Sequence, residues 1–242
     1  MKLEHRVAIV TGASTGIGLA IAETFAREGA RVAMAARSAD RLERASQAIV
    51  EKGGTSIAVS ADISQESEVR RLVDGTIERF GRVDILVNNA ALNHPPIDIA
   101  DFEPELWRSI IDVNLTGAFL CCRAVLPRMT SQGSGKIINI SSIGGRKGSR
   151  GRGAYRASKA GLISLTETLA AEVHDAGITV NCICPGGVET EMSSLINLGE
   201  MPSGLMRPEE IANLALFLAS DESSSVTGTT VDAFGPSNPL YR

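Results

Sequence analysis

A doubly wound α/β fold, with a parallel sheet covered by helices on both faces, is what two features of this chain predict. Seven β-rich runs recur along its 242 residues, separated by segments of helical length. Several of those runs are apolar throughout rather than alternating, as strands buried on both faces are. Right-handed crossovers then bring the carboxyl ends of the strands to one edge of the sheet, where such folds hold their ligands.

The first strand, Val7 to Val10, runs into Gly12, Gly16 and Gly18 and then a helical stretch through Leu19, Ala20, Ile21 and Phe25. Arg31 to Ala36, Ser56 to Ser60 and Ile85 to Val87 read as the next three strands. From Glu105 to about Met129 the pattern is helical, and Leu106, Trp107, Ile110, Ile111, Leu115 and Phe119 are spread around much of its circumference. One buried face cannot hide them all, which points to burial against a second subunit. Lys136 to Ile140 is the fifth strand. Ala154 to His174 then carries Leu162, Leu165, Leu169 and Val173 near helical spacing and should stop at Gly177. Thr179 to Ile183 and Thr229 to Val231 complete the set. No repeat or long linker interrupts the pattern, so residues 1–242 are expected to form a single domain.

Bulk properties narrow the partners. With 28 acidic against 24 basic residues, the formal net charge is −4, which argues against nucleic acid or an anionic membrane as a whole-surface partner. Met1 to Arg6 pass straight into Val7, leaving no signal-peptide core, and no apolar run approaches a membrane span. A cytoplasmic protein with no nucleic-acid or membrane partner is expected. Cys121, Cys122, Cys182 and Cys184 have no metal-type spacing and read as reduced, buried small hydrophobes, with no metal expected.

Glycines at 12, 16 and 18 between a strand and a helix let the backbone approach a pyrophosphate, whose charge meets the free N–H groups at the helix start. At the end of the second strand, Ala36 stands where an acid would bind the adenosine ribose of NAD. Arg37 and Ser38 follow, suited to pairing with a 2′-phosphate. NADP(H) is therefore the expected cofactor, with NAD(H) as the alternative. Asp62, Asn88, Asn89 and Ala90 also fall at strand ends, and read alone they are turn or cap residues.

Tyr155 and Lys159 lie four apart, on one face of a helix, where an ammonium would favour the phenolate. Ser142 follows the fifth strand and could reach the same pocket to hold a substrate oxygen.

Taken together, the segment Thr11 to Gly18, Asn88-Asn89-Ala90, Asn114, Ser142, Tyr155, Lys159 and Pro185-Gly186 resemble a compact short-chain dehydrogenase/reductase over essentially the whole chain. The resemblance implies a Rossmann-type, seven-stranded sheet and a catalytic tetrad of Asn114, Ser142, Tyr155 and Lys159. Ser142 would polarise the substrate carbonyl, Tyr155 protonate it, Lys159 bind the nicotinamide ribose and lower the tyrosine pKa, and Asn114 hold a relay water. Gly12, Ser14, Thr15, Gly16, Ile17, Gly18, Arg37, Ser38, Asp62, Ile63, Asn89, Ala90, Tyr155, Lys159, Pro185, Gly186, Val188 and Thr190 would bind the cofactor. Residues 192–206 would form a short substrate lid, and the chain would assemble as a homotetramer or homodimer.

Two features bear on the substrate, a small carbonyl or alcohol compound. Arg146, Lys147, Arg150, Arg152 and Arg156 form a basic cluster at the cleft mouth that would attract an anion or serve as a solvated loop. Leu195, Ile196, Leu198, Met201, Leu205 and Met206 would give the lid an apolar lining. His94, in the loop after Asn88-Asn89-Ala90, reads as a surface histidine. The readings carried forward are a carbonyl reductase or alcohol dehydrogenase, a 3-oxoacyl-[acyl-carrier-protein] reductase, and a non-catalytic NADP(H)-binding sensor.

Overall fold

A computed structural model describes residues 1–196 and 204–235, without the side chains of 195 and 196. Strands β1 (Val7–Thr11), β2 (Arg31–Ala36), β3 (Thr55–Ser60), β4 (Ile85–Asn88), β5 (Gly135–Ile140), β6 (Ile178–Pro185) and β7 (Thr230–Ala233) make one sheet in the order β3-β2-β1-β4-β5-β6-β7. Every adjacent pair is parallel. Helices α1 (Gly16–Arg27), α2 (Ala39–Glu51), α3 (Glu66–Phe80), α4 (Pro104–Ile111), α5 (Gly117–Gln132), α6 (Gly153–Glu172), α7 (Glu191–Ile196) and α8 (Pro208–Ala219) connect them.

Strand β1 shows why its sequence does not alternate. All five of its residues are buried, and successive side chains point to opposite faces. Ala8 and Val10 join Phe25 of α1, Leu42 of α2 and Ile211 of α8 in one core. Ile9 joins Leu72 of α3, Val125 of α5 and Leu169 of α6 in the other. The winding direction reverses between β1 and β4, so the crevice opens above their carboxyl ends.

Each expected strand is present: β2 has the expected bounds, and the others move by at most two residues at either end. The helix expected from Glu105 to Met129 is a continuous helical path over Pro104–Gln132, interrupted by a π-helical turn at Asp112–Thr116 that carries the buried Asn114. That path is long and apolar enough, by length and composition, to cross a membrane, where the sequence reading found no such run. The reason is that isolated polar residues divide the apolar positions in sequence, while the helix joins them into 29 continuous residues. Its inner residues Ile110, Leu120, Val125 and Met129 are buried, and Leu106 and Phe119 are exposed. Helix α6 gives way to a 3₁₀ turn at His174–Ala176 and then to Gly177 at φ +70°. A side chain at Gly177 would also meet the Gly133 carbonyl, so glycine is needed on both counts.

Candidate active site

The cleft above β1 and β4 has a volume of about 500 Å³ and runs from the glycine turn to Tyr155 and Lys159. Its floor is tied to two side chains. Thr11 donates its hydroxyl to the Val87 carbonyl (3.2 Å) and accepts from the backbone N–H of Asn89 (3.0 Å) and Ala90 (3.1 Å). The Asn89 amide donates to the carbonyls of Thr11 (2.9 Å) and Gly12 (3.2 Å). These bonds press the two loops so close that a Cβ on Gly12 would lie 2.8 Å from the Ala90 Cα, and Gly12 adopts φ +64°. Helix α1 begins at Gly16 with no side-chain cap from Thr15 and no acid in its first turn. Its N–H groups and dipole are therefore open to a phosphate, and the cradle fits a dinucleotide.

Of the residues expected to hold the cofactor, Gly12, Ser14, Thr15, Gly16, Ile17, Arg37, Ser38, Asp62, Ile63, Asn89, Ala90, Tyr155, Lys159, Pro185, Gly186, Val188 and Thr190 line this cleft. Gly18 lies beneath it, where a Cβ would come 2.4 Å from the Asn89 amide nitrogen. Arg37 is exposed at the end of β2, and no hydrogen bond or carboxylate among the described residues engages its guanidinium. Asp62 accepts from the Ser64 backbone (3.0 Å) and hydroxyl (2.7 Å), forming the turn into α3.

At the other end of the cleft, α6 presents Tyr155, Ser158 and Lys159. Lys159 is only 2% exposed, donates to the Ile140 carbonyl at 2.7 Å and sits 5.8 Å from the centre of the Tyr155 ring. Burial pulls its pKa down to about 8, against smaller upward effects of Cys182 and Cys184. Burial pushes the Tyr155 phenol above its ordinary value, opposed by a hydrogen bond with Ser142 and then by the charges of Arg156 and Arg152; the lowering expected from Lys159 is not among these influences, and burial outweighs the charges around the ring. The Ser142 hydroxyl also accepts from the Gly144 N–H (3.0 Å), which opens a 3₁₀ turn after β5.

Asn114 stands behind this group. Its oxygen accepts from the Leu92 N–H (2.7 Å), and its amide donates to the Leu92 carbonyl (2.9 Å) and the Ser158 hydroxyl (3.0 Å). It thus links the loop after β4, the π turn and α6.

A family model described as short chain dehydrogenase matches residues 6–200. The chain belongs to that family. Among curated relatives of this short-chain dehydrogenase, the 3-oxoacyl-[acyl-carrier-protein] reductase of Synechocystis sp. is 40% identical, with 96% of this chain and 97% of the relative covered. The 3-oxoacyl-[acyl-carrier-protein] reductase FabG of Staphylococcus epidermidis is 39% identical, over 96% and 98%. The crystal structure of levodione reductase superposes with a TM-score of 0.90 at 32% identity, covering 95% of this chain and 96% of that one. As a short-chain dehydrogenase the chain is an oxidoreductase that uses a nicotinamide cofactor.

Several parts of this dehydrogenase's site were not legible in advance. His94 is buried rather than at the surface: its Nδ1 lies 2.7 Å from the Pro95 carbonyl and its ring meets Phe102 edge-on at 4.8 Å. Its pKa is lowered chiefly by that burial. A loop folded back on itself hides the ring, and no local sequence signal reports such folding. The basic cluster also divides, since Arg146 pairs with Asp232 (3.3 Å) and Arg150 with Asp98 (2.6 Å). The role of Thr11 was missed, although a hydroxyl residue closing a strand just before a glycine turn was a usable sign.

The described ends of the segment expected to form a lid meet: Met206 donates its N–H to the Gly187 carbonyl (3.0 Å), and Glu189 donates to the Met206 carbonyl (2.9 Å). The Arg41 side chain of α2 reaches Glu191 at the start of α7, 3.1 Å away. Leu205 is half-buried and Met206 buried; the side chains of Leu195 and Ile196, with Leu198 and Met201, lie outside the described residues.

Proposed function

We propose that this short-chain dehydrogenase is an NADP(H)-dependent oxidoreductase that interconverts a small carbonyl compound and its alcohol, with Tyr155 as general acid and base. The observation that carries the proposal is the placement of Ser142, Tyr155 and Lys159 in the same cleft as the glycine turn. The free guanidinium of Arg37, beside a half-buried Ala36, supports preference for the 2′-phosphate over NAD(H).

When bound, the nicotinamide supplies or accepts the hydride. The chain's own residues do the rest. Ser142 holds the carbonyl oxygen by a hydrogen bond, and Tyr155 delivers a proton to that oxygen as it becomes an alcohol. A phenol is protonated at neutral pH at its ordinary pKa, and burial shifts that balance further toward the protonated form that reduction requires. Lys159 places positive charge 5.8 Å from the centre of the Tyr155 ring and would hold the nicotinamide ribose. Asn114 braces Leu92 and Ser158, a positioning role that leaves one acceptor lone pair for the relay water implied by the resemblance.

A second reading, 3-oxoacyl-[acyl-carrier-protein] reduction, is favoured by the 40% identical Synechocystis sp. relative, which is named for that activity and aligns over nearly the full length of both chains. The same side chains would act on a thioester-bound ketone. We further propose one cytoplasmic domain that assembles as a homodimer or homotetramer through the helical path of α4 and α5, where Leu106 and Phe119 are exposed, and through α6; a monomer in sedimentation at micromolar concentration would reject the pairing.

The decisive assay follows NADPH consumption with ketones, aldehydes and a 3-oxoacyl thioester on carrier protein. Tyr155→Phe should keep NADPH binding and lose at least about 100-fold in turnover. Undiminished reduction by that variant refutes the role of Tyr155. Tight NADPH binding with no substrate consumed would favour the non-catalytic sensor.

A further inference from the structure

Between Ser142 and the second turn of α6, the chain places five cations at positions 146, 147, 150, 152 and 156. Asp232 and Asp98 neutralise Arg146 and Arg150, and Lys147 is exposed to solvent. Arg152 and Arg156 differ from the other three. Both are half-buried, and burial is the largest influence on each, working against the charged form. The opposite charge each feels is the phenolate form of Tyr155, and Arg156 repels Arg152. Among the described residues, the one side-chain hydrogen bond the pair makes runs from Arg152 to a neutral group, the carbonyl of His94.

Their location gives this unbalanced charge a use. Arg152 stands three residues before Tyr155 and Arg156 one after it. A Cβ built on Gly144 would lie 3.3 Å from Arg156 Cγ, 3.4 Å from Ser142 Oγ and 3.4 Å from Tyr155 Cε1, so the three side chains meet at one point. Arg152 is held against the loop that continues from Leu92 and Asn93 of the cleft wall. A pair of partly desolvated guanidiniums without a carboxylate lowers stability and is relieved by an anion. The Arg156 side chain makes no hydrogen bond or ion pair among the described residues.

We propose that Arg152 and Arg156 form an anion subsite beside Tyr155, so that the carbonyl substrate carries an anionic oxygen group, a carboxylate or a phosphate. This rests on the carbonyl-reduction reading above and specifies the class of substrate. The anion docks against the two guanidiniums while the carbonyl oxygen reaches Ser142 and Tyr155.

The test compares matched substrates on the full chain. One pair is a short 3-oxo acid and its methyl ester; the other is a 3-oxoacyl phosphopantetheine and the same acyl group on N-acetylcysteamine, which lacks the phosphate. In at least one pair the parent should favour the charged member in kcat/KM by about 10-fold or more. That ratio should fall toward unity in Arg152→Gln and Arg156→Gln, mainly through KM, with part of it restored in Arg156→Lys. Because the ratio is internal to each variant, partial loss of folded protein does not alter it. Preference in the first pair assigns a carboxylate and in the second a phosphate. Ratios within about 3-fold of unity for the parent in both pairs overturn the subsite while leaving carbonyl reduction standing. If the parent reduces no carbonyl at all, the functional reading fails instead, and calorimetric titration with the 3-oxo acid and the phosphopantetheine compound still decides the subsite. Binding of either about 10-fold tighter to the parent than to Arg156→Gln supports it, and equal or absent binding of both overturns it.

Discussion

The ammonium of Lys159 is bound to the carbonyl of Ile140, the last residue of β5, at 2.7 Å. A sheet strand thereby fixes the height at which α6 presents Tyr155 and Lys159 to the cleft. The bond also satisfies a charge that is otherwise removed from water, and it does so incompletely, since the pKa falls from 10.5 to about 8.

That depression has a pH signature. Between about pH 8 and 10.5 the unfolded chain holds more protons at Lys159 than the folded one, so stability rises with pH through this window. Below pH 8 the penalty for the buried charge is present in full, on the order of 3 kcal/mol. Lys159→Met removes it. The unfolding free energy of the parent minus that of the variant, from denaturant titrations, should increase across the window; a constant difference would contradict the depressed pKa.

Packing beneath the glycine turn is intolerant of a methyl group. A Cβ at Gly18 would overlap the Gly12 carbonyl and the Asn89 amide, both held by hydrogen bonds. Gly18→Ala should destabilise the chain by about 1–3 kcal/mol and weaken NADPH binding about 10-fold or more. Thermal unfolding together with fluorescence titration of NADPH checks both, and unchanged affinity would show that the turn does not cradle the cofactor.

The proposed NADPH preference rests on the end of β2. Ala36→Asp puts a carboxylate beside Arg37 and the 2′-phosphate position, and should lower kcat/KM for NADPH by about 10-fold or more while favouring NADH. Arg37→Ala should lose NADPH preference without gaining NADH. A parent that already prefers NADH would reverse the assignment.

A buried amide relay supports the floor of the site. Asn88 donates to the Asn139 oxygen (2.9 Å), and Asn139 donates to the Thr166 hydroxyl (2.9 Å), joining β4, β5 and α6. Asn139→Ala leaves the Asn88 amide without its oxygen acceptor and should cost about 2–3 kcal/mol by chemical denaturation. A loss under about 0.5 kcal/mol would mean that water replaces the bond without penalty.

Element type was legible because it is written locally. The apolar run from Val7 to Val10, the helical spacing from Leu162 to Val173 and the stop at Gly177 report a strand, a helix and its end. The pairing of Tyr155 with Lys159 was legible for the same reason, since four residues make one helical turn. What adjoins that turn is another matter. Neither the burial of His94 nor the bond from Thr11 to the loop after β4 follows from neighbours in sequence.

By itself, then, the sequence determined the order and type of the elements, the glycine turn and the spacing of the reactive side chains, because these depend on contacts within a few residues. Only the tertiary structure decided which charges are cancelled. Arg150 meets Asp98 from 52 positions away and Arg146 meets Asp232 from 86 away, while Arg152 and Arg156 meet no carboxylate among the described residues. Electrostatic environment is a sum over neighbours in space, and chain folding chooses those neighbours.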